Sequence, residues 1–186
     1  MSDIDGGART GGAGRRQSFA TTRRERPAPP QPDDAGAAEA AALRILGGAA
    51  QSTAGLQRRL SRRGFDDDTS AGAVATMVEH GYVDDVALAT SVAKRRTRNG
   101  FGKARIVADL RSRGVGSDDI ASTLDAVDGD EEAAQALVVA RGKWPLKAGE
   151  DRRHRNGRVG AVLQRRGFPF ALITKVLREL ESEPEE

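Results

Sequence analysis

Two histidines, His80 and His154, are the natural candidates for proton transfer or metal binding in this chain of 186 residues. Neither has a second histidine three or four residues on, and the chain has no cysteine, so no metal-ligand pattern forms around them. His80 stands beside Gly81, where a cation near the negative end of a helix is common. The runs Asp66-Asp67-Asp68 and Asp118-Asp119 could be read as carboxylate dyads for acid–base work. Their placement just ahead of apolar helical stripes suits helix starts better, since carboxylates stabilise the positive end of a helix dipole. GGARTGGAG and NGFGKAR are glycine-rich, but no strand precedes either and neither fits G-x-x-x-x-G-K-[ST]. We therefore expect no catalytic residue, no metal and no cofactor; an enzyme is the weakest class for this chain.

What remains is fixed positive charge. Net charge is only +3, but the isoelectric point is about 9.7, and of the 30 basic residues 25 are arginine. From Lys94 to Gly116 eight basic residues stand against one acid, Asp109, and from Arg141 to Arg166 nine stand against Glu150 and Asp151. Between these blocks lie stretches that hold acids and no Lys or Arg, Asp66–Asp85 and Gly116–Glu132. Alternation of this kind points to an electrostatic partner, because arginine forks suit phosphate and carboxylate alike. The candidate binding residues are Lys94, Arg95, Arg96 and Arg98 at the end of one helix and Lys103, Arg105, Arg111 and Arg113 on the next. Arg152, Arg153, Arg155, Arg165 and Arg166 form a second cluster. The turn Asn99-Gly100-Phe101-Gly102 brings the first two groups together. Few aromatics interleave them, so stacking on single-stranded bases is not indicated.

The elements that must carry these charges follow from a repeat. LQRRLSRRGF (56–65), IVADLRSRGV (106–115) and VGAVLQRRGF (159–168) share one pattern: an apolar residue, three residues, Leu, two residues, Arg-Gly, apolar. The glycines are Gly64, Gly114 and Gly167, and apolar residues recur downstream of each at Val74 and Met77, Leu124 and Val127, Leu177 and Leu180. Three like units at near-constant spacing predict a tandem helical array. Within the second unit, Ile106, Val107 and Leu110 share a helix face, Arg105 and Arg113 are spaced to pair with Asp109, and Gly114 is placed to end the helix in the left-handed conformation. Ser117 or Asp118 then caps the next helix, and Pro169 begins its counterpart in the third unit. A further helix precedes each pair: Asp84 to about Arg98, Glu131 to about Arg141, and a short one from Ala41 to Leu46 ended by Gly47-Gly48. No stretch alternates with period two, so no sheet is expected.

The reading is thus all-α: three tandem three-helix repeats in an elongated array, with a disordered N-terminal arm. The boundaries are 1–36 for a Gly/Arg/Pro-rich arm, 37–80, 81–128 and 129–182 for the repeats, and 183–186 for an acidic tail. Aromatics are only 4% of the chain and mean hydropathy is −0.54, which fits several thin Leu/Val/Ile/Ala cores rather than one thick one. No apolar run approaches the ~18 residues of a membrane span, and no apolar segment near the N-terminus resembles a signal peptide; a cytoplasmic monomer is expected.

HGYVDDVALATSVAKRRTRNGFGKARIVADLRSRGV, residues 80–115, resembles the central signature of the RecX proteins, regulators of the RecA recombinase. The matching elements are Gly81-Tyr82-Val83-Asp84-Asp85, the basic helix end Lys94–Arg98, Gly102–Ile106 and Leu110–Val115. RRHRNGRVGAVLQRRGFPFALITKVLREL is similar to the family's closing segment, and the likeness runs from about 40 to 181. It implies a non-enzymatic protein that binds the RecA filament along its groove, with DNA within or near the filament as a further contact, and restrains recombinase and coprotease activity in DNA repair and the SOS response. The alternative is a direct duplex-DNA-binding module, since three-helix units with a basic second helix resemble helix-turn-helix geometry. The first unit departs from the family pattern at Gly47-Gly48-Ala49-Ala50-Gln51-Ser52-Thr53-Ala54-Gly55-Leu56, where glycines at about 1 kcal/mol each against Ala predict a looser unit.

Overall fold

The computed structural model describes residues 31–183, and among them the chain forms nine α-helices and no strand. The first unit comprises α1 (Ala35–Gly48), α2 (Thr53–Ser61) and α3 (Asp67–Glu79). The second comprises α4 (Asp85–Arg98), α5 (Lys103–Arg113) and α6 (Ser117–Asp125), and the third α7 (Gly129–Arg141), α8 (Arg152–Arg165) and α9 (Phe170–Ser182). The expected disordered arm lies, for residues 1–30, outside the described residues, as do the last three residues of the acidic tail, whereas Ala35 and Gly36, read as the end of that arm, belong to α1.

Short polar side chains start most of these helices. Asp34, Ser52, Asp66, Asp84, Asp128 and Asp151 each accept a hydrogen bond from a backbone N–H in the first turn. The aspartate runs therefore belong to helix starts, Asp66 as the cap of α3 with Asp67 and Asp68 in its first turn, and Asp118 and Asp119 in the first turn of α6. No cluster of three or more His, Cys, Asp or Glu able to hold a metal occurs among the described residues. Gly64, Gly114 and Gly167 follow α2, α5 and α8 with φ of 100°, 84° and 86°. That region costs an L-residue roughly 1–2 kcal/mol, which is why the repeat ends on glycine.

In each unit the first and middle helices pack on the third, around a separate thin core. Leu56, Leu60, Val74 and Met77 lie in the first, Val92, Ile106, Leu110 and Ile120 in the second, and Val159, Leu163, Ile173 and Leu180 in the third. No helix is long and apolar enough to cross a membrane among the described residues.

Three details differ from the expectations. The first helix is not a six-residue piece but spans fourteen residues, Ala35–Gly48. Asp34 caps it, and Ala38, Ala41, Ala42 and Ile45 form its buried stripe, so small residues do the work larger ones do elsewhere. α6 starts from Gly116, which makes no side-chain cap, rather than from Ser117 or Asp118. Asp109 pairs with Arg96 of α4 at 2.9 Å and with Arg113 at 3.5 Å, not with Arg105.

The units join by one device used twice. The C-terminal end of α5 abuts the N-terminal end of α2: the Arg113 carbonyl accepts from Ser52 Oγ at 2.5 Å and from Arg58 Nη2 at 3.1 Å. The C-terminal end of α8 abuts the N-terminal end of α5 in the same sense. Gly102 N donates to the Arg166 carbonyl at 2.9 Å and Ala104 N to the Gly167 carbonyl at 3.3 Å. A carboxylate from the following unit completes each junction, Asp85 Oδ1 accepting from Thr53 N and Glu132 Oε1 from Lys103 N, both at 2.8 Å. Helix ends leave orphan N–H and C=O groups, and here the donors of one middle helix meet the acceptors of the next. The middle helices are thereby set end to end with their dipoles in series. Gly55, expected to loosen the first unit, is buried at this contact, where a Cβ would lie 3.0 Å from the Arg113 carbonyl and 2.9 Å from Ser52 Oγ. It permits close approach.

Candidate functional site

The thirteen candidate cations divide by their place on this array. Lys94, Arg95 and Arg98 are exposed on the last turns of α4, Arg105 and Arg111 on α5, and Arg152, Arg153 and Arg165 on α8. Lys103 is half-buried at the start of α5, with its backbone N–H committed to Glu132. Because α5 and α8 meet end to end, their exposed arginines stand on consecutive segments of one continuous support.

The remaining four are built into the structure. Arg96 bonds Asp109 and lies 5.2 Å from the centre of the Phe101 ring. Arg166 reaches across the second junction, donating to the Asn99 and Gly100 carbonyls at 3.0 and 3.1 Å, with its guanidinium 5.4 Å from the same ring. The turn Asn99–Gly102 is thus held with two cations, Arg96 and Arg166, close to the Phe101 ring, each contributing a cation–π attraction. Burial opposes ionisation of Asp109, but the Arg96 hydrogen bond and the charges of Arg113 and Arg96 outweigh it and hold the carboxyl below its ordinary range. Arg155 is buried at 4% exposure, its guanidinium 3.9 Å from the centre of the Trp144 ring. It packs the third unit against Trp144. Arg113 is half-buried beside Asp109, and its carbonyl is the first junction's acceptor.

Sequence reasoning missed two groups. Arg158 ties down the segment between α7 and α8, gripping both oxygens of Glu150 at 2.6–2.7 Å and donating to the carbonyls of Lys143 and Pro145. Those hydrogen bonds pull the Glu150 carboxyl down to about 2. Arg58 and Arg59 on α2 and Arg62 at its C-cap stand in the two Arg-Arg pairs of LQRRLSRRGF, Arg58-Arg59 and Arg62-Arg63, where the sequence marks them only as part of the repeat. The structure exposes all three beside the first junction.

The geometry defines a class, an all-helical tandem repeat with three separate thin cores and exposed arginines and lysines on its helices. Residues 84–124 match the model of the second three-helix domain of RecX, and residues 130–177 that of the third. The chain is 36% identical over 141 residues to the regulatory protein RecX of Deinococcus radiodurans, covering 75% of this chain and 66% of that protein. It is 34% identical over 147 residues to RecX of Mycobacterium avium, covering 77% and 84%. A crystal structure of RecX from Lactobacillus salivarius superposes with a TM-score of 0.73 at 16% identity over 80% of this chain and 97% of that one, a likeness of fold. The chain belongs to the RecX family.

Proposed function

We propose that this protein is a non-enzymatic regulator that binds the filament of the RecA recombinase along its groove and inhibits its recombinase and coprotease activities. It would act as a cytoplasmic monomer in recombination, DNA repair and the SOS response, with DNA within or near the filament as a secondary contact. Membership of the family supports the regulatory role, and the resemblance described above supplies the partner. The observation that carries the mechanism is the end-to-end junction: it fixes the exposed arginines of α5 and α8 relative to one another before any partner arrives. A polyanionic groove then meets a preset row of cations, and less side-chain and domain entropy is lost on binding than with independent modules. Lys94, Arg95, Arg98, Arg105, Arg111, Arg152, Arg153 and Arg165 would make the contacts; Arg96, Arg113, Arg155 and Arg166 would hold the frame.

The test is the DNA-dependent ATPase rate of the cognate recombinase as the protein is added. A fall that saturates near stoichiometric ratios supports the reading; an unchanged rate at excess removes it. Tight binding to bare duplex with a steep salt slope and no recombinase requirement would instead favour the DNA-binding module.

A further inference from the structure

The first junction carries an arginine-lined cleft. A cleft of about 320 Å³ opens between α2 and the C-terminal end of α5, and its lining includes Gln51, Ser52, Arg58, Arg59, Arg62 and Arg113 but no carboxylate. Arg58 is held on the Arg113 carbonyl, while Arg59 and Arg62 form no ion pair or side-chain hydrogen bond among the described residues. Arg113 Nε is buried without a hydrogen-bond acceptor, its nearest anion being Asp109 at 3.5 Å. The arrangement is not a by-product of the repeat. In register, positions 58, 59 and 62 correspond to Ala108, Asp109 and Ser112 in the second unit and to Ala161, Val162 and Arg165 in the third. Only the first unit gathers three cations there.

We propose that this cleft is a phosphate-binding clamp that bridges the first two units. One guanidinium fork satisfies a single carboxylate. Ser52 Oγ and one Arg58 nitrogen are engaged by the Arg113 carbonyl, and Gln51 Nε2 by the Ala49 carbonyl. The forks of Arg59 and Arg62, with the remaining donors of Arg58 and the Arg113 guanidinium beside them, still exceed what a carboxylate can accept and match a phosphate with its larger charge and oxygen count. Because Arg58 and Arg59 come from α2, Arg62 from its C-cap and Arg113 from α5, an occupant ties the units together and stiffens the junction. The same chemistry is offered by the backbone of a nucleic acid and by a free oligophosphate or nucleotide.

The test needs no recombinase, so its failure is separate from that of the filament reading. Binding of pyrophosphate, ATP and an oligothymidylate to the full chain is measured by calorimetry at fixed ionic strength. The variants are R59A/R62A and a charge-matched control, R44A/K175A, whose exposed residues lie outside the cleft. Pyrophosphate affinity should fall about tenfold or more in the first variant and stay level in the second, in keeping with charge-assisted contacts. With the same sensitivity, an oligothymidylate that binds more tightly than pyrophosphate identifies a polynucleotide source; ATP or pyrophosphate binding at least as tightly identifies a free one. No pyrophosphate binding, equal losses in both variants, or an oligoglutamate binding with the same affinity and sensitivity would overturn the proposal.

Discussion

Gly102 and Gly167 meet backbone to backbone across the second junction. A Cβ on Gly102 would overlap the Gly167 carbonyl, and one on Gly167 would overlap the backbone of Arg105. Gly102 has an ordinary φ of −81°, so its requirement is purely steric, whereas Gly167 at 86° is constrained by conformation as well.

Gly102→Ala should therefore destabilise the protein by about 1–3 kcal/mol through forced separation of α5 and α8. Gly167→Ala should cost more than Gly64→Ala, because a Cβ at Gly64 meets nothing within 4 Å and pays only for its positive φ. Urea denaturation of the three variants checks both statements; equal costs for Gly64→Ala and Gly167→Ala would mean that the junction is not tightly packed.

Glu132 is buried, and its carboxylate serves the Lys103 N–H as that of Asp85 serves the Thr53 N–H. Removing either acceptor leaves a backbone donor without its partner, at about 1–3 kcal/mol for a buried group. Glu132→Ala should speed hydrogen exchange in the first turn of α5, and Asp85→Ala in the first turn of α2. Each effect should stay at its own junction, and exchange that rises uniformly over the chain would contradict the assignment.

The segment between α7 and α8 offers a pH readout, since Trp144 is the chain's one tryptophan. The Glu150 carboxyl is depressed from 4.5 to about 2 by Arg158. A depressed acid contributes stability that is complete above its unfolded value and is lost as pH falls through its folded value. Trp144 emission should thus shift between about pH 4.5 and pH 2 as the Glu150–Arg158 grip is released. Glu150→Gln should show a loosened Trp144 signal already at neutral pH and lack that acid step. An unchanged neutral spectrum would show that the grip does not order this segment.

Arg155 and Arg153 make a contrast between neighbours. Arg155→Ala strips a buried cation from Trp144 and should destabilise the third unit by about 1–3 kcal/mol, in the range of cation–π and packing losses. Arg153→Ala should leave stability within about 0.5 kcal/mol, as exposed substitutions do, while weakening partner binding. Thermal unfolding of the pair separates the two roles.

Much of this architecture can be read in the chain because it is local. The Arg-Gly repeat places the ends of α2, α5 and α8, and the aspartate runs mark helix starts, since capping depends on residues within one turn. The first helix was underread because its buried stripe is alanine, a weak hydrophobic signal, although Ala38, Ala41, Ala42 and Ile45 keep helical spacing. Arg155 lies four residues before Val159 and eight before Leu163, which places it on the core face; that periodicity was available, and the neighbouring arginines masked it. The junctions are another matter. Nothing near Gly102 announces Gly167, and Asp85 reads as a first-turn acid until its partner, Thr53, is seen beside it. Contacts between distant segments set which arginines face outward, so the frame-holding Arg96 and Arg166 cannot be told from Arg95 and Arg165 by spacing alone.

In the proposed function the end-to-end array presents its exposed arginines to a recombinase filament. Co-sedimentation with preformed RecA filaments on DNA tests it most directly, comparing the wild-type chain with a folded Arg95→Glu/Arg98→Glu/Arg105→Glu variant. The wild-type protein should pellet with the filament and the variant should lose about tenfold or more in affinity, with losses that shrink as salt rises. A wild-type chain left in the supernatant at excess filament, or a variant that pellets as well as the wild type, would contradict it.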